Sequence, residues 1–175
     1  MISGFLRGAC LTVAALAASS AWAQESSNRV AADTDWSVFV EDDPRECWGV
    51  SAPKETALLD SNGNATDGRR GDILLFVFYR PGAGVNGQVT FTGGYPFAGG
   101  STVTLSIGDT AFELFTEGEW AWPATPDDDA RIIAAMKRGA EATLRARSGR
   151  GNQTVDQFSL LGFTAAVDEA QRRCS

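Results

Sequence analysis

The feature that most restricts the fold of this chain is a series of short apolar segments separated by turns rich in glycine, asparagine and aspartate. In most of them apolar and polar residues alternate, which predicts strands with one buried face. Residues 73–79 instead form an unbroken apolar run, which predicts a central strand buried on both faces. The predicted strands cover residues 36–40, 46–51, 72–79, 88–92, 102–107, 111–115, 120–122, 143–148 and 154–160.

Two segments change from strand to helix periodicity. Pro126 and three aspartates at 127–129 are typical of a helix start, and Ile132 and Met136 follow at helical spacing. Residues 164–173 predict a closing helix that ends in two arginines. Residues 52–71 carry turn signals and predict a loop. The predicted fold is mainly β: an antiparallel β-sandwich or partly closed barrel with two short helices.

The N-terminal 23 residues have the pattern of a secretory signal peptide. Arg7 precedes the apolar residues 9–18, and Ala21-Trp22-Ala23 matches a cleavage site. The apolar stretch is too short to span a bilayer, and the mature chain is expected to contain no transmembrane segment. We therefore predict a signal peptide at 1–23, a flexible leader at 24–35 and a single domain at 36–175. The expected location is the periplasm, and outer-membrane association and secretion are left open as alternatives.

Cysteine usage agrees with export. Of the three cysteines, Cys10 lies in the predicted signal peptide, so Cys47 and Cys174 remain in the mature chain. An even pair in an oxidising compartment predicts a disulfide, which would close a long loop and stabilise the domain. Two unrelated buried thiols are the alternative.

Charge and composition exclude several function classes. The chain has 22 acidic and 15 basic residues, which disfavours nucleic-acid binding. It contains no histidine, which removes the usual general base, and too few cysteines remain for a zinc site. A calcium-type pattern begins at Asp60, but alanine and glycine occupy two required positions, at 65 and 71. We predict no catalytic residues, no metal site and no cofactor.

Acidic residues leave an enzymatic alternative open. Glu117 and Glu119, with Asp109 and Glu113, could supply a carboxylate pair of the kind that glycosidases use. The sequence does not set the distance between any two of these carboxylates. A carboxylate-dependent cell-wall glycan hydrolase is therefore the alternative function.

Aromatic residues provide the candidate interaction surface. Trp120 and Trp122 are two apart, so in a strand they face the same side and could stack on carbohydrate or form an exposed patch. Tyr95 and Phe97 lie in a glycine-rich loop at 93–100, where the backbone can approach a ligand closely. Both pairs could instead belong to the core.

The second half of the chain resembles the invasion-associated locus B family of bacterial envelope proteins. The resemblance covers most of the mature chain and is clearest after Gly94. The motifs that carry it are Gly94-Tyr95-Pro96-Phe97, Phe112-Glu113-Leu114-Phe115, Ala121-Trp122-Pro123, the helix at 132–139 and the segment 156–166. These motifs are structural, and the family implies no established enzymatic activity or cofactor.

From the residues and the resemblance together, we expect a non-enzymatic binding or envelope-associated protein of this type. Its surface would comprise Tyr95, Phe97, Trp120 and Trp122, and its ligand or protein partner in the envelope is left open. A structural subunit of an envelope complex is a further alternative.

Overall fold

The computed structural model describes residues 28–175, so the predicted signal peptide, Cys10 and the start of the predicted leader lie outside the described residues. The strands are β1 (Arg29–Asp33), β2 (Trp36–Asp42), β3 (Arg45–Ser51), β4 (Glu55–Leu59), β5 (Leu74–Arg80), β6 (Val85–Thr92), β7 (Thr102–Ile107), β8 (Thr110–Glu117), β9 (Trp120–Trp122), β10 (Glu141–Arg147) and β11 (Gln153–Ser159). The helices are α1 (Pro126–Met136) and α2 (Phe163–Arg173), with a single 3₁₀ turn at Pro81–Ala83.

The eleven strands form one antiparallel sheet in the order β1-β2-β3-β5-β6-β9-β8-β7-β10-β11-β4. The sheet curls round, but its two edge strands, β1 and β4, do not pair with each other within residues 28–175. Hydrogen bonds bridge the opening, since the Trp36 indole N–H donates to the Ser159 carbonyl at 3.0 Å and the Asp35 N–H donates to the Leu161 carbonyl at 3.3 Å. The predicted mainly β fold, a sandwich or partly closed barrel with two helices, is confirmed.

Both edge strands lie outside the strands predicted from the sequence. Residues 29–33 fall in the predicted flexible leader, but they form β1 and pair with β2. Residues 55–59 fall in the predicted loop, but they form β4 and pair with β11. Both segments are short and mostly exposed, so neither carries the apolar alternation that marks a strand in the sequence. Pairing with a neighbour supplies their hydrogen bonds.

The core fills the inside of the curled sheet. Alternate residues of each central strand point inward, and Val38, Leu75, Val77, Phe91 and Leu114 are fully buried. The prediction that 73–79 is buried on both faces is wrong. In β5 burial alternates strictly, so Leu75, Val77 and Tyr79 face the core whereas the aromatic residues between them are half-buried on the outer side.

Helix α2 packs on the inner face of β2 and β3. Its buried side chains include Phe163, Ala166 and Val167, and the Phe163 ring meets Trp36 edge-on at 4.8 Å. The helix delivers Cys174 to Cys47 in β3, where the predicted disulfide is present with Cα atoms 5.9 Å apart.

Helix α1 starts where the sequence predicts. Pro126 occupies the first turn, and the Thr125 hydroxyl accepts the Asp128 N–H at 3.2 Å, which is an N-terminal cap. Asp129 turns inward, and its carboxylate accepts the Val89 N–H of β6 at 2.8 Å. The aspartates therefore begin the helix, and one of them attaches it to the sheet.

Candidate binding surface

Trp120 and Trp122 lie on the outer side of β9, as their spacing predicts. Ala121 between them is buried, whereas Trp120 is 44% exposed and Trp122 is half-buried. Strand β9 pairs with β6 on one side and β8 on the other, and Trp122 lies opposite Phe115 of β8, which is 54% exposed. The two tryptophans are thus part of the outer surface of the sheet.

Aromatic side chains continue across the outer side of the neighbouring strands. Phe39 of β2, Trp48 of β3 and Phe78 of β5 are successive partners in the strand register. Phe76 lies beside Phe78 on β5. We call this surface the aromatic face; it comprises Phe39, Trp48, Phe76, Phe78, Phe115, Trp120 and Trp122.

Ring contacts make most of the aromatic face continuous. Phe39 stacks on Trp48 with ring centroids 5.6 Å apart, and Trp48 is 6.0 Å from Phe78. Phe76 stacks on Phe78 at 5.1 Å and is 6.1 Å from Trp120. Packing of this kind fixes the rings in place, so a ligand that binds there meets an ordered surface.

A groove crosses the aromatic face along β6. Gln88 and Thr90 of β6 are shorter than the aromatic side chains of β5 and β9 on either side. The resulting groove has a volume of about 320 Å³ and is lined by Phe78, Arg80, Gln88, Thr90, Trp120 and Trp122. Aromatic walls therefore enclose a polar floor.

Arg80 is held at one end of the groove. Its guanidinium lies 4.3 Å from the centre of the Phe78 ring, and its Nε pairs with Glu46 at 3.1 Å. Its Nη1 donates to the Gln88 side-chain oxygen at 3.2 Å. These contacts hold Arg80 and the Gln88 side-chain oxygen in place. The Gln88 amide group also carries two N–H donors at the groove.

The expectation of one surface shared by all four predicted residues does not hold for the glycine-rich loop. Phe97 is 7% exposed and packs against Phe91, with ring centroids 6.1 Å apart. Tyr95 is half-buried, and its hydroxyl lies 2.5 Å from the Thr154 hydroxyl. The rings pack closely on the backbone of Gly93, where a Cβ would lie 3.1 Å from Tyr95 and 3.2 Å from Phe97. Gly94, with φ +73°, instead lets the loop backbone approach that of Gly71.

Tyr95 takes part in a buried polar cluster at the mouth of the barrel. Arg70 makes two hydrogen bonds to the Asp156 carboxylate, at 2.7 and 2.6 Å, and a third to the Gly93 carbonyl at 3.0 Å. The Arg70 guanidinium also lies 5.2 Å from the Tyr95 ring centre. Among the described residues no buried side-chain nitrogen or oxygen lacks a hydrogen-bond partner. The cluster therefore anchors Arg70, and the end of the segment before β5, to the sheet.

The cluster forms one wall of a second cleft of about 400 Å³, which includes Arg69, Tyr95, Glu119 and Arg150. Positive and negative side chains are mixed in this cleft. It therefore has no single charge preference.

The carboxylates considered for catalysis do not line the groove of the aromatic face. Its six lining residues include no aspartate or glutamate. Glu113 accepts a hydrogen bond from Thr104 at 3.1 Å, and Glu119 borders the second cleft. Asp60 uses its carboxylate to accept the N–H groups of Asn62 and Asn64, which is a turn structure. Residues 28–175 contain no group of three metal-ligating side chains.

Sequence reasoning found two members of the aromatic face and missed five. Phe39, Trp48, Phe76, Phe78 and Phe115 all occur in predicted strands, where an aromatic residue is ordinarily assigned to the core. The available signal was that consecutive apolar residues in 73–79 must point to opposite sides of the sheet. The register between strands that are distant in sequence determines that the side chains of the aromatic face meet.

Comparison with known proteins is consistent with this architecture. The family model described as "Invasion associated locus B (IalB) protein" matches residues 64–171, which is more than half of the chain. The chain belongs to the IalB family. The resemblance stated from the sequence motifs is thereby confirmed, and membership supports an exported, envelope-associated protein.

Among solved structures, the chain is similar to the crystal structure of invasion associated protein B from Bartonella henselae. The TM-score is 0.55 at 14% identity, and the match covers 80% of this chain and 94% of the Bartonella chain. At this identity the similarity shows a shared fold. The search of curated proteins finds no match. Within residues 28–175 no helix is long and apolar enough to cross a membrane.

Proposed function

We propose that this IalB-family protein is a non-enzymatic, exported protein that binds a component of the cell envelope through its aromatic face. One observation carries the proposal: seven aromatic side chains lie on the outer side of one half of the sheet, most of them in mutual ring contact. The outer side of the other half is largely polar, with Thr104, Thr143, Arg145 and Arg147 at outward positions.

Exposed aromatic patches have a cost in solubility and typically mark interaction sites. Single exposed apolar residues are common on protein surfaces. Aromatic residues in mutual ring contact instead form one contiguous patch. The absence of a carboxylate from the groove lining favours binding over glycan hydrolysis at this site.

Cosedimentation with envelopes tests the proposal. The full-length chain would be expressed with its own N-terminal segment, and the fraction bound to washed envelopes measured for wild type, Trp48→Ala and Trp120→Ala. We expect both variants to shift to the soluble fraction. Leu161→Ala is the matched control, because it removes an exposed apolar side chain, 60% accessible, outside the aromatic face. Retention of both tryptophan variants at the wild-type level would refute the proposal.

A further inference from the structure

We infer that the groove along β6 binds a neutral glycan chain, with a sugar ring held between Phe78 on one wall and Trp120 and Trp122 on the other. The inference rests on the proposed binding function and assigns a ligand class to part of the aromatic face. It follows from the spacing of the walls, the chemistry of the floor and the charge around the groove.

The two walls of the groove stand on strands that are not adjacent in the sheet. Strand β6 lies between β5 and β9, so the wall-bearing strands are two strand spacings apart, about 10 Å between backbones. Aromatic side chains project from both strands and narrow that distance. A sugar ring has apolar C–H faces, and these pack on aromatic rings without losing hydrogen bonds.

The floor of the groove is built for hydroxyl groups. Thr90 is 8% exposed and lines the floor of the groove with its hydroxyl-bearing side chain. Gln88 and Arg80 add amide and guanidinium donors beside it. An acyl chain or an apolar protein segment would cover these groups without replacing their water contacts, which costs free energy. Sugar hydroxyls donate and accept, so they replace those contacts.

Charge favours a neutral ligand. The one cation that lines the groove, Arg80, is already paired with Glu46. Exposed carboxylates occupy the strands and the turn that carry the aromatic face, at Glu41, Glu117 and Glu119. The whole chain has a net charge of −7. Anionic lipid surfaces are therefore repelled, whereas a neutral glycan chain is not.

A peptide in strand conformation is a poorer occupant. One edge of β6 pairs with β5 along its whole length, and the other edge pairs with β9 at Phe91 and Thr92. On that second edge the Val89 N–H is already bound by the Asp129 carboxylate. A peptide in the groove would therefore lie over the face of the sheet, without the main-chain ladder that gives strand addition its affinity.

The test is calorimetric titration of the purified protein with chitotetraose and cellotetraose, together with pull-down on trypsin-stripped peptidoglycan sacculi. We expect binding of at least one glycan probe. Trp122→Ala should weaken it by about tenfold or more, as expected for a central contact residue, and Trp122→Phe should restore most of the affinity. Thr90→Val keeps the shape of the floor and should also weaken binding, because it removes the hydroxyl.

Phe115→Ala is the matched control: it truncates an exposed aromatic residue of the same face that does not line the groove. Binding of sacculi and chitotetraose identifies the cell wall as the source of the glycan, whereas binding of cellotetraose alone identifies another neutral polysaccharide. Two results overturn the inference: no glycan binding up to about 10 mM, or binding that Trp122→Ala leaves unchanged. The cosedimentation experiment distinguishes this failure from failure of the proposed function. If envelope binding still depends on Trp48 and Trp120, the proposed function stands without the glycan inference.

Discussion

At the scale of single residues, the most demanding interaction is the buried pair of Arg70 and Asp156. The Asp156 side chain is fully buried and that of Arg70 is 9% exposed. The pair joins residues 86 positions apart in sequence and fixes the long segment before β5 to β11. The pair contributes mainly by fixing the position of these two segments, because desolvation offsets much of the attraction between buried charges.

Arg70→Met should therefore destabilise the protein by about 3–5 kcal/mol, because it leaves the Asp156 carboxylate buried without a partner. The double variant Arg70→Met, Asp156→Leu should recover a large part of this loss. Urea denaturation of the wild type and both variants measures the free energies of unfolding. A double variant less stable than the single one would contradict this account.

Asp129 makes stability depend on pH. Burial raises its pKa to about 6, although the Val89 N–H opposes part of the shift. Because the folded-state pKa lies above the ordinary value of 3.8, the stability that Asp129 contributes is full below about pH 4 and is lost as the pH rises through about 6.

Asp129→Asn removes this titration but keeps an oxygen acceptor for Val89. The free energy of unfolding of the wild type, relative to that of the variant, should fall between about pH 4 and pH 7. Asp127→Asn, in the same turn but exposed, is the control. The free energy of unfolding could instead vary with pH in the same way for the wild type and Asp129→Asn. That result would show that titration of Asp129 does not affect stability.

At the scale of secondary-structure elements, the disulfide attaches α2 to the sheet. It closes a loop with a sequence separation of 127 residues. In the chain-entropy model such a loop is worth up to about 4–5 kcal/mol, and measured values are often lower.

Cys47→Ser should thus lower the stability by a few kcal/mol, about 2–4. The melting temperature in the absence of reductant gives the comparison, with reduced wild type as the control. The reduced wild type should melt close to the variant. If Cys47→Ser melts at the temperature of the oxidised wild type, the bridge does not contribute to stability.

The start of α2 depends on a glycine. Gly162 has φ +89°, and a Cβ there would lie 1.9 Å from the Asp33 carbonyl oxygen of β1. This close contact lets α2 begin directly beside the edge strand.

Gly162→Ala should therefore destabilise the protein clearly more than Gly151→Ala. Gly151 has the same φ of +89° with no neighbour within 4 Å, so its variant meets only the backbone strain, about 1–2 kcal/mol. Thermal unfolding of both variants separates strain from steric clash. Equal losses of stability in the two variants would show that β1 moves away from the added methyl group at Gly162 without a cost in free energy.

At the scale of the whole molecule, the sheet has two unlike outer halves. The aromatic face lies on β2, β3, β5, β8 and β9, whereas polar side chains cover β7 and β10. The net charge of −7 opposes association between copies of the chain through the exposed rings. The proposed binding would therefore rest on apolar contact and hydrogen bonding, with little contribution from ion pairing.

Envelope association through the aromatic face should accordingly be insensitive to salt. Raising sodium chloride from about 0.05 to 0.5 M shortens the screening length and weakens exposed ion pairs, but it does not weaken ring stacking. The measurement is the bound fraction of wild type at each concentration, with Leu161→Ala alongside. Release of the wild type by salt would indicate electrostatic docking instead.

The sequence by itself determined the features that depend on local chemistry. Alternation of apolar residues predicted the central strands, the proline and aspartates predicted the start of α1, and the cysteine pair predicted the bridge to α2. Motifs in the second half of the chain predicted that it belongs to the IalB family. Each of these signals is contained in a short stretch of residues or in residue type alone.

Only the tertiary structure decided which aromatic residues meet. A strand has two sides, and the register with strands distant in sequence determines which side faces the core. That register turned Phe76 and Phe78 outward towards Trp120. The folding of the glycine-rich loop against the core turned Phe97 inward. It also formed β1 and β4, whose residues carry no strand pattern of their own. The candidate binding surface is therefore a product of long-range pairing.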